Sequence, residues 1–280
     1  MKALFFFVFL IISTSIFSQV YCFKADTTSF DSIAHIISEN HFNKNNTGEL
    51  AVKICQIFLN KPYQKGTLDV TPEEILVVNL NGFDCVTLIE TCVALAYITK
   101  ANKLDFKDYC LRLRFIRYRN GAITNYTSRL NYFTDWIANN QLKGIVKDVT
   151  REIGGQPYKK EINFMSFNYA NYDKLRKNPD FLDSIKAIES EINKNKHYYI
   201  PKEKLPSKIN KIRNGDVIAI TTNIEGLDII HSGFAYWKGS QLCLIHASSD
   251  YKKVMVTEKP LVDYLKSIKK QTGVMVLRLL

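Results

Sequence analysis

The spacing of apolar residues changes character near Gly215, and that change limits the folds open to the chain. Before it, apolar residues recur at intervals of three and four: Ile33, Ile36 and Ile37, then Leu50, Ile54, Ile57 and Phe58. Such spacing marks one buried helical face, so residues from about 30 to 160 read as mainly helical. The strongest helix candidate runs from Cys85 to about Lys100, with Asp84 as its N-cap and Ile89, Cys92, Val93 and Ala96 on one stripe. Further helices are expected over residues 128–140, carrying Leu130, Phe133, Trp136 and Ile137, and over 179–194, opened by Pro179. After Gly215 come short β-branched or aromatic runs at 216–221, 229–237, 241–247, 254–257 and 274–279, with one helix at 261–270. Helices followed by a strand meander predict an α+β fold, a helical N-terminal half whose Cys-bearing helix packs on a C-terminal antiparallel sheet. The Lys/Asn-rich stretch 193–214 reads as an exposed connection, so 24–280 is expected to be a single domain with helical insertions.

Composition removes several classes. The 280 residues are 46% apolar with only 12 Gly, 7 Pro and 6 Cys, which excludes a disordered tail, a collagen-like fibre and a disulfide-dense miniprotein. Residues 1–18 combine Lys2, an apolar run from Ala3 to Ile12 and a small residue at Ser18, the pattern of a signal peptide. The expectation is therefore an exported protein, periplasmic in a bacterium. Its cysteines (22, 55, 85, 92, 110, 243) show neither a C-x-x-C pair nor regular spacing, so no zinc knuckle or disulfide framework is signalled. The net charge of +11 is compatible with an anionic envelope surface or with a Lys-rich background. Nucleic acid is not expected as a partner. Arg114, Arg117 and Arg119 around Tyr118 have no recognised module about them.

Three residues stand out as chemistry. Cys85 is placed at a helix N-terminus, where the dipole and free amides favour thiolate. His231 and His246 fall on consecutive strands. A two-residue turn at Lys238-Gly239 would pair Trp237 with Ser240 and set the two histidines directly opposite each other on one face, about 5.5 Å apart at Cβ. One imidazole would then orient the other.

At these residues the sequence resembles a known group. Phe83-Asp84-Cys85-Val86-Thr87, Gly215-Asp216-Val217, Ile230-His231-Ser232-Gly233 and Ile245-His246-Ala247-Ser248 resemble, in order, motifs of the NlpC/P60 cell-wall cysteine peptidases, with Pro62-Tyr63 matching a pair upstream of the nucleophile. The run continuing through Glu90 and the stretch Ser128 to Trp136 are more similar to the N-acetylmuramoyl-L-alanine amidase-like branch, in which His often stands at the position of Asn131. The resemblance implies a papain-like core without metal or cofactor. It implies Cys85 as nucleophile, His231 as general base and then acid, and His246 as the residue orienting the imidazole. The implied substrate is peptidoglycan or its muropeptide fragments, cut between the lactyl group of N-acetylmuramic acid and L-alanine. An endopeptidase cutting γ-D-glutamyl-diamino-acid bonds and a non-catalytic peptidoglycan-binding module are the alternatives.

Substrate contacts are expected from Tyr63 and Asp84 beside the nucleophile. They are also expected from Arg129, Tyr132 and Asp135, read as one helical face at spacings of three. Glu90 reads as a helix-surface or buried polar contact and not as a catalytic group.

Overall fold

The computed structural model describes residues 20–280. The expected signal segment lies outside the described residues. Strand β1 (Val20–Tyr21) leads into helices α1 (Lys24–Glu39) and α2 (Thr47–Ile57), and β1 pairs in parallel with β2 (Leu76–Val77). Helix α3 (Cys85–Lys100) is buried on every side from Thr87 to Ala96. A helix apolar all round belongs inside a core, and α3 lies between α2, α4 (Phe106–Arg117) and the sheet. Its one buried carboxylate, Glu90, accepts a 2.6 Å hydrogen bond from Arg117 Nε, while Arg117 Nη1 donates to Val77 O. Of the two contacts expected of Glu90, surface or buried, the buried one forms, as an ion pair that ties α3, α4 and β2 together. It also removes Arg117 from any basic surface patch.

After α5 (Phe133–Leu142), β3 (Val146–Asp148) and β4 (Gln156–Pro157), a helical insertion of α6 (Phe164–Phe167), α7 (Asp173–Lys177) and α8 (Pro179–Lys194) precedes β5 (Tyr198–Pro201). The remainder is β6 (Val217–Thr222), β7 (Ile229–Lys238), β8 (Gln241–Ser248), β9 (Lys253–Val256), α9 (Leu261–Ser267) and β10 (Gln271–Leu279). The sheet runs β4-β5-β10-β6-β7-β8-β9, with β3 also on β10, and its pairings are antiparallel. The expected α+β arrangement, with the Cys85 helix on an antiparallel sheet, is what the chain forms. One sheet face meets α3 through Val217, Ala219, Phe234 and Ile245; the other carries Ile218, Ile220, Leu244 and Val276 against α9.

Three local expectations are corrected. The helix expected over 128–140 starts only at Phe133. Asn125 Oδ1 caps a 3₁₀ turn at Tyr126–Ser128 and Arg129 is extended, with Leu130 N–H donating to Arg117 O, so Arg129 and Tyr132 lie off the helix and share no helical face with Asp135. The stretch 193–214 is more than a connection, since β5 joins β10 and buries Ile200. The β7–β8 turn is Gly239-Ser240, not Lys238-Gly239: Lys238 pairs with Gln241, and Gly239 takes φ 61°, as the first position of a II′ turn requires.

Candidate active site

Cys85 enters the cleft because Asp84 stops the chain there. Asp84 Oδ1 accepts from the amides of Val86 (3.0 Å) and Thr87 (2.8 Å), and Thr87 Oγ1 accepts from Asp84 N–H, a closed capping box. The cap uses the second and third amides of the helix, and Cys85 N–H donates to no carbonyl or carboxylate among the described residues. The approach is fixed from behind by buried Asp26, whose Oδ1 accepts from Leu80 N–H and Asn81 Nδ2.

Shifting a two-residue turn by one position keeps side-chain parity while moving the register by two. His231 and His246 therefore share a face but stand diagonally, not directly opposite. The residue nearest His246 across the hairpin is Gly233, where any Cβ would come 2.9 Å from His246 Cβ and 2.7 Å from Ile245 O. Only glycine leaves His246 room to lean toward His231. Its Nδ1 lies 2.6 Å from His231 Nε2, with the rings nearly perpendicular at 86°. That contact leaves Nδ1 of His231 for the cleft, which Cys85 and His231 both line.

The resting charges differ from the sequence expectation. Burial, seconded by the Asp84 carboxylate, pushes the Cys85 thiol up to about 12, so the helix terminus does not yield a standing thiolate. The capping carboxylate occupies the amides that would have stabilised it. Against this, Ser232, whose hydroxyl donates to Cys85 O at 3.3 Å, and the amide of Cys85 itself favour the thiolate, too weakly to offset burial. Burial lowers His231 to about 4, with Asp250 opposing, and lowers His246 to about 3, with His231 adding to the effect. The site rests as a neutral thiol beside two neutral imidazoles.

The expected substrate residues separate into three groups. Tyr63 is half-buried beside Cys85 and Asp84; burial first, then the nearness of these two acidic groups, raises its hydroxyl. Arg129 and Tyr132 line the same cleft as Cys85, but their polar atoms are taken: Arg129 by Glu74 and Asp69, the Tyr132 hydroxyl by Glu189 and Met165 N–H. Asp135 does not face the cleft, because it pairs with Arg119 at 2.5 Å and accepts from Asn139. Sequence reading missed Ser232 as a partner of Cys85, and missed Asp69, Tyr126, Phe164 and Tyr172, which line the cleft from separate loops and helices. Among the described residues no group of three or more His, Cys, Asp or Glu could hold a metal ion. The six cysteines are free thiols.

A thiol and an imidazole lining one cleft, with a second imidazole bonded to the first, suit acyl transfer. The family comparison fits: the model described as AmiA-like, N-acetylmuramoyl-L-alanine amidase-like, matches residues 53–274. The chain belongs to this family. Among solved structures, this amidase-like chain is similar to an N-acetylmuramoyl-L-alanine amidase from Bacteroides uniformis, at 38% identity and TM-score 0.81 over 84% of this chain and 100% of that one. A Bacteroides fragilis protein described as a candidate xylanase is 38% identical with TM-score 0.77, over 80% of this chain and 98% of that one. A Legionella pneumophila protein at 23% identity and TM-score 0.71, over 92% and 95% of the two chains, shares the fold. No curated protein matches the chain.

Proposed function

We propose that the protein is an exported cysteine amidase of the NlpC/P60, papain-like superfamily, acting on muropeptides at the N-acetylmuramoyl-L-alanine bond. The observation that carries this reading is that Cys85, at the N-terminus of α3, lines one cleft with His231, which His246 contacts from behind at 2.6 Å. Cys85 Sγ attacks the lactyl carbonyl carbon as its proton passes to His231, and the amide of Cys85 faces the developing oxyanion. The C–N bond breaks, and His231 returns the proton to the leaving nitrogen of L-alanine. Water, deprotonated by His231, then opens the thioester and regenerates the thiol. His246 holds the imidazole throughout and exchanges no atom with substrate.

Glycoside hydrolysis is not favoured. It uses two carboxyl groups about 5–9.5 Å apart across the bond, and the cleft carboxylates are engaged elsewhere: Asp69 on Arg129, and Asp228 on the Thr134 amide and hydroxyl. Export through residues 1–18 and residence in a periplasm follow from the sequence of that segment and are proposed on it alone.

Mass spectrometry of digested muropeptides tests the assignment. Stem peptide beginning with free L-alanine is expected; cleavage after D-glutamate would assign the endopeptidase instead. Cys85→Ala is expected to abolish turnover while keeping the fold, and residual activity in that variant removes the nucleophile.

A further inference from the structure

Beyond Cys85 the cleft, of about 270 Å³, carries a wall that the proposed chemistry does not use and that forms an arm. Its walls come from two places distant in sequence: Asp69, Tyr126, Arg129 and Asn131 on the α3 side, Phe164 and Tyr172 on the helical insertion. The walls are tied together, since Lys174 Nζ of α7 donates to Thr71 O (2.7 Å) and to Pro72 O, and Tyr126 stacks on Phe181 of α8. The arm is therefore formed before a ligand arrives.

Its charge identifies what it accepts. Arg129 is the arm's cation, yet Nε and Nη2 bond Glu74, Nη1 bonds Asp69, and its guanidinium lies 5.3 Å over the Tyr126 ring. Two carboxylates on one guanidinium leave an excess of negative charge, so the arm repels the carboxylates of a stem peptide. What remains available is neutral recognition. The Tyr126 and Tyr172 hydroxyls and the Asn131 carbonyl oxygen make no protein hydrogen bond among the described residues, and Asp69 keeps its second carboxylate oxygen. Half-buried Phe164 and Tyr172 supply ring surface beside them. Aromatic faces with a few convergent hydroxyl and carboxylate groups match a pyranose, which presents C–H faces and a rim of hydroxyls.

We propose that this arm is the binding site for the N-acetylhexosamine ring of the substrate, which fixes substrate direction: sugar toward the insertion, anionic stem peptide toward Tyr63, whose N–H donates to Lys252 O at 2.9 Å and whose neighbour Pro62 bridges to Lys253. The inference rests on the amidase reading for the identity of the sugar. Titration of Cys85→Ala protein with N-acetylmuramoyl-L-alanine and with N-(D-lactoyl)-L-alanine, the same amide without the ring, tests it. The sugar-bearing ligand is expected to bind at least about tenfold more tightly, and adding Tyr172→Ala or the gentler Tyr126→Phe should remove most of that difference. Equal affinity for the two ligands, or equal weakening of both by Tyr172→Ala, overturns the arm. Turnover of N-acetylmuramoyl-L-alanine by the unaltered protein is read separately: sugar-dependent binding without cleavage keeps the arm and removes the amidase.

Discussion

At Cys85 the two obvious influences oppose each other. The helix terminus favours a thiolate, but burial and the Asp84 cap outweigh it and hold the thiol near 12. In the proposed reaction such a cysteine loses its proton during attack, which gives His231 the part of a base and not merely of a counter-ion. Because His231 is lowered to about 4 by burial, it is neutral and able to accept that proton at every pH above about 4. Turnover should therefore persist to about pH 5 and fall as pH drops through 4, where the imidazole protonates. The Ser232 hydroxyl holds Cys85 through its carbonyl and favours the thiolate, and it bonds neither histidine, so Ser232→Ala is expected to lower kcat/KM roughly tenfold across the plateau without moving that acid limb, as the loss of a hydrogen bond of about 1–1.5 kcal/mol implies. The pH profile of both proteins checks this. A shifted limb in the variant would assign Ser232 to the histidines instead.

At the scale of elements, the β7–β8 hairpin separates what the sequence made legible from what it concealed. Periodicity located both strands and put both histidines on one face. It did not distinguish Lys238-Gly239 from Gly239-Ser240, because either turn preserves parity. Local signals likewise sufficed for α8, where an Asn178 cap and Pro179 at the first turn agree with the apolar stripe, but not for residues 128–132, where an Asn125 side chain held a 3₁₀ turn inside a helical pattern. Strand β5 was hidden because Tyr198–Pro201 is too short to show alternation and is specified by its long-range pairing with β10. The catalytic candidates were legible as motifs. The arm was not, since its residues meet only when the insertion folds back. The two hairpin glycines give a contrast that checks the register. Gly233→Ala places a methyl 2.9 Å from His246 Cβ and should cut kcat at least tenfold. Gly239→Ala meets no atom within 4 Å but must hold φ 61°, so it should cost about 1 kcal/mol of stability and leave kcat unchanged. Thermal unfolding and steady-state kinetics of the two variants separate these effects, and equal kinetic losses would refute the register.

For the whole molecule, charge and chemistry are in different places. The chain carries +11, yet the cleft holds an Arg129 already bonded to two carboxylates and a buried Asp228, so the excess cations lie outside it. Exposed charges act over a Debye length, about 10 Å at 0.1 M salt and shrinking as salt rises, whereas the paired charges of the cleft are screened far less. Two salt dependences should therefore diverge. Association of the intact protein with vesicles rich in anionic phosphatidylglycerol should weaken steeply between about 50 and 300 mM NaCl. The KM for a small soluble muropeptide should change less than about twofold across the same range, because a neutral sugar in a closed ion-pair network has few counter-ions to exchange. Sedimentation and initial rates on one preparation measure both. A KM that climbs with salt as steeply as surface binding falls would put the basic charge to work on substrate capture, and with it would move the sugar and the stem peptide to opposite ends of the cleft from those assigned here.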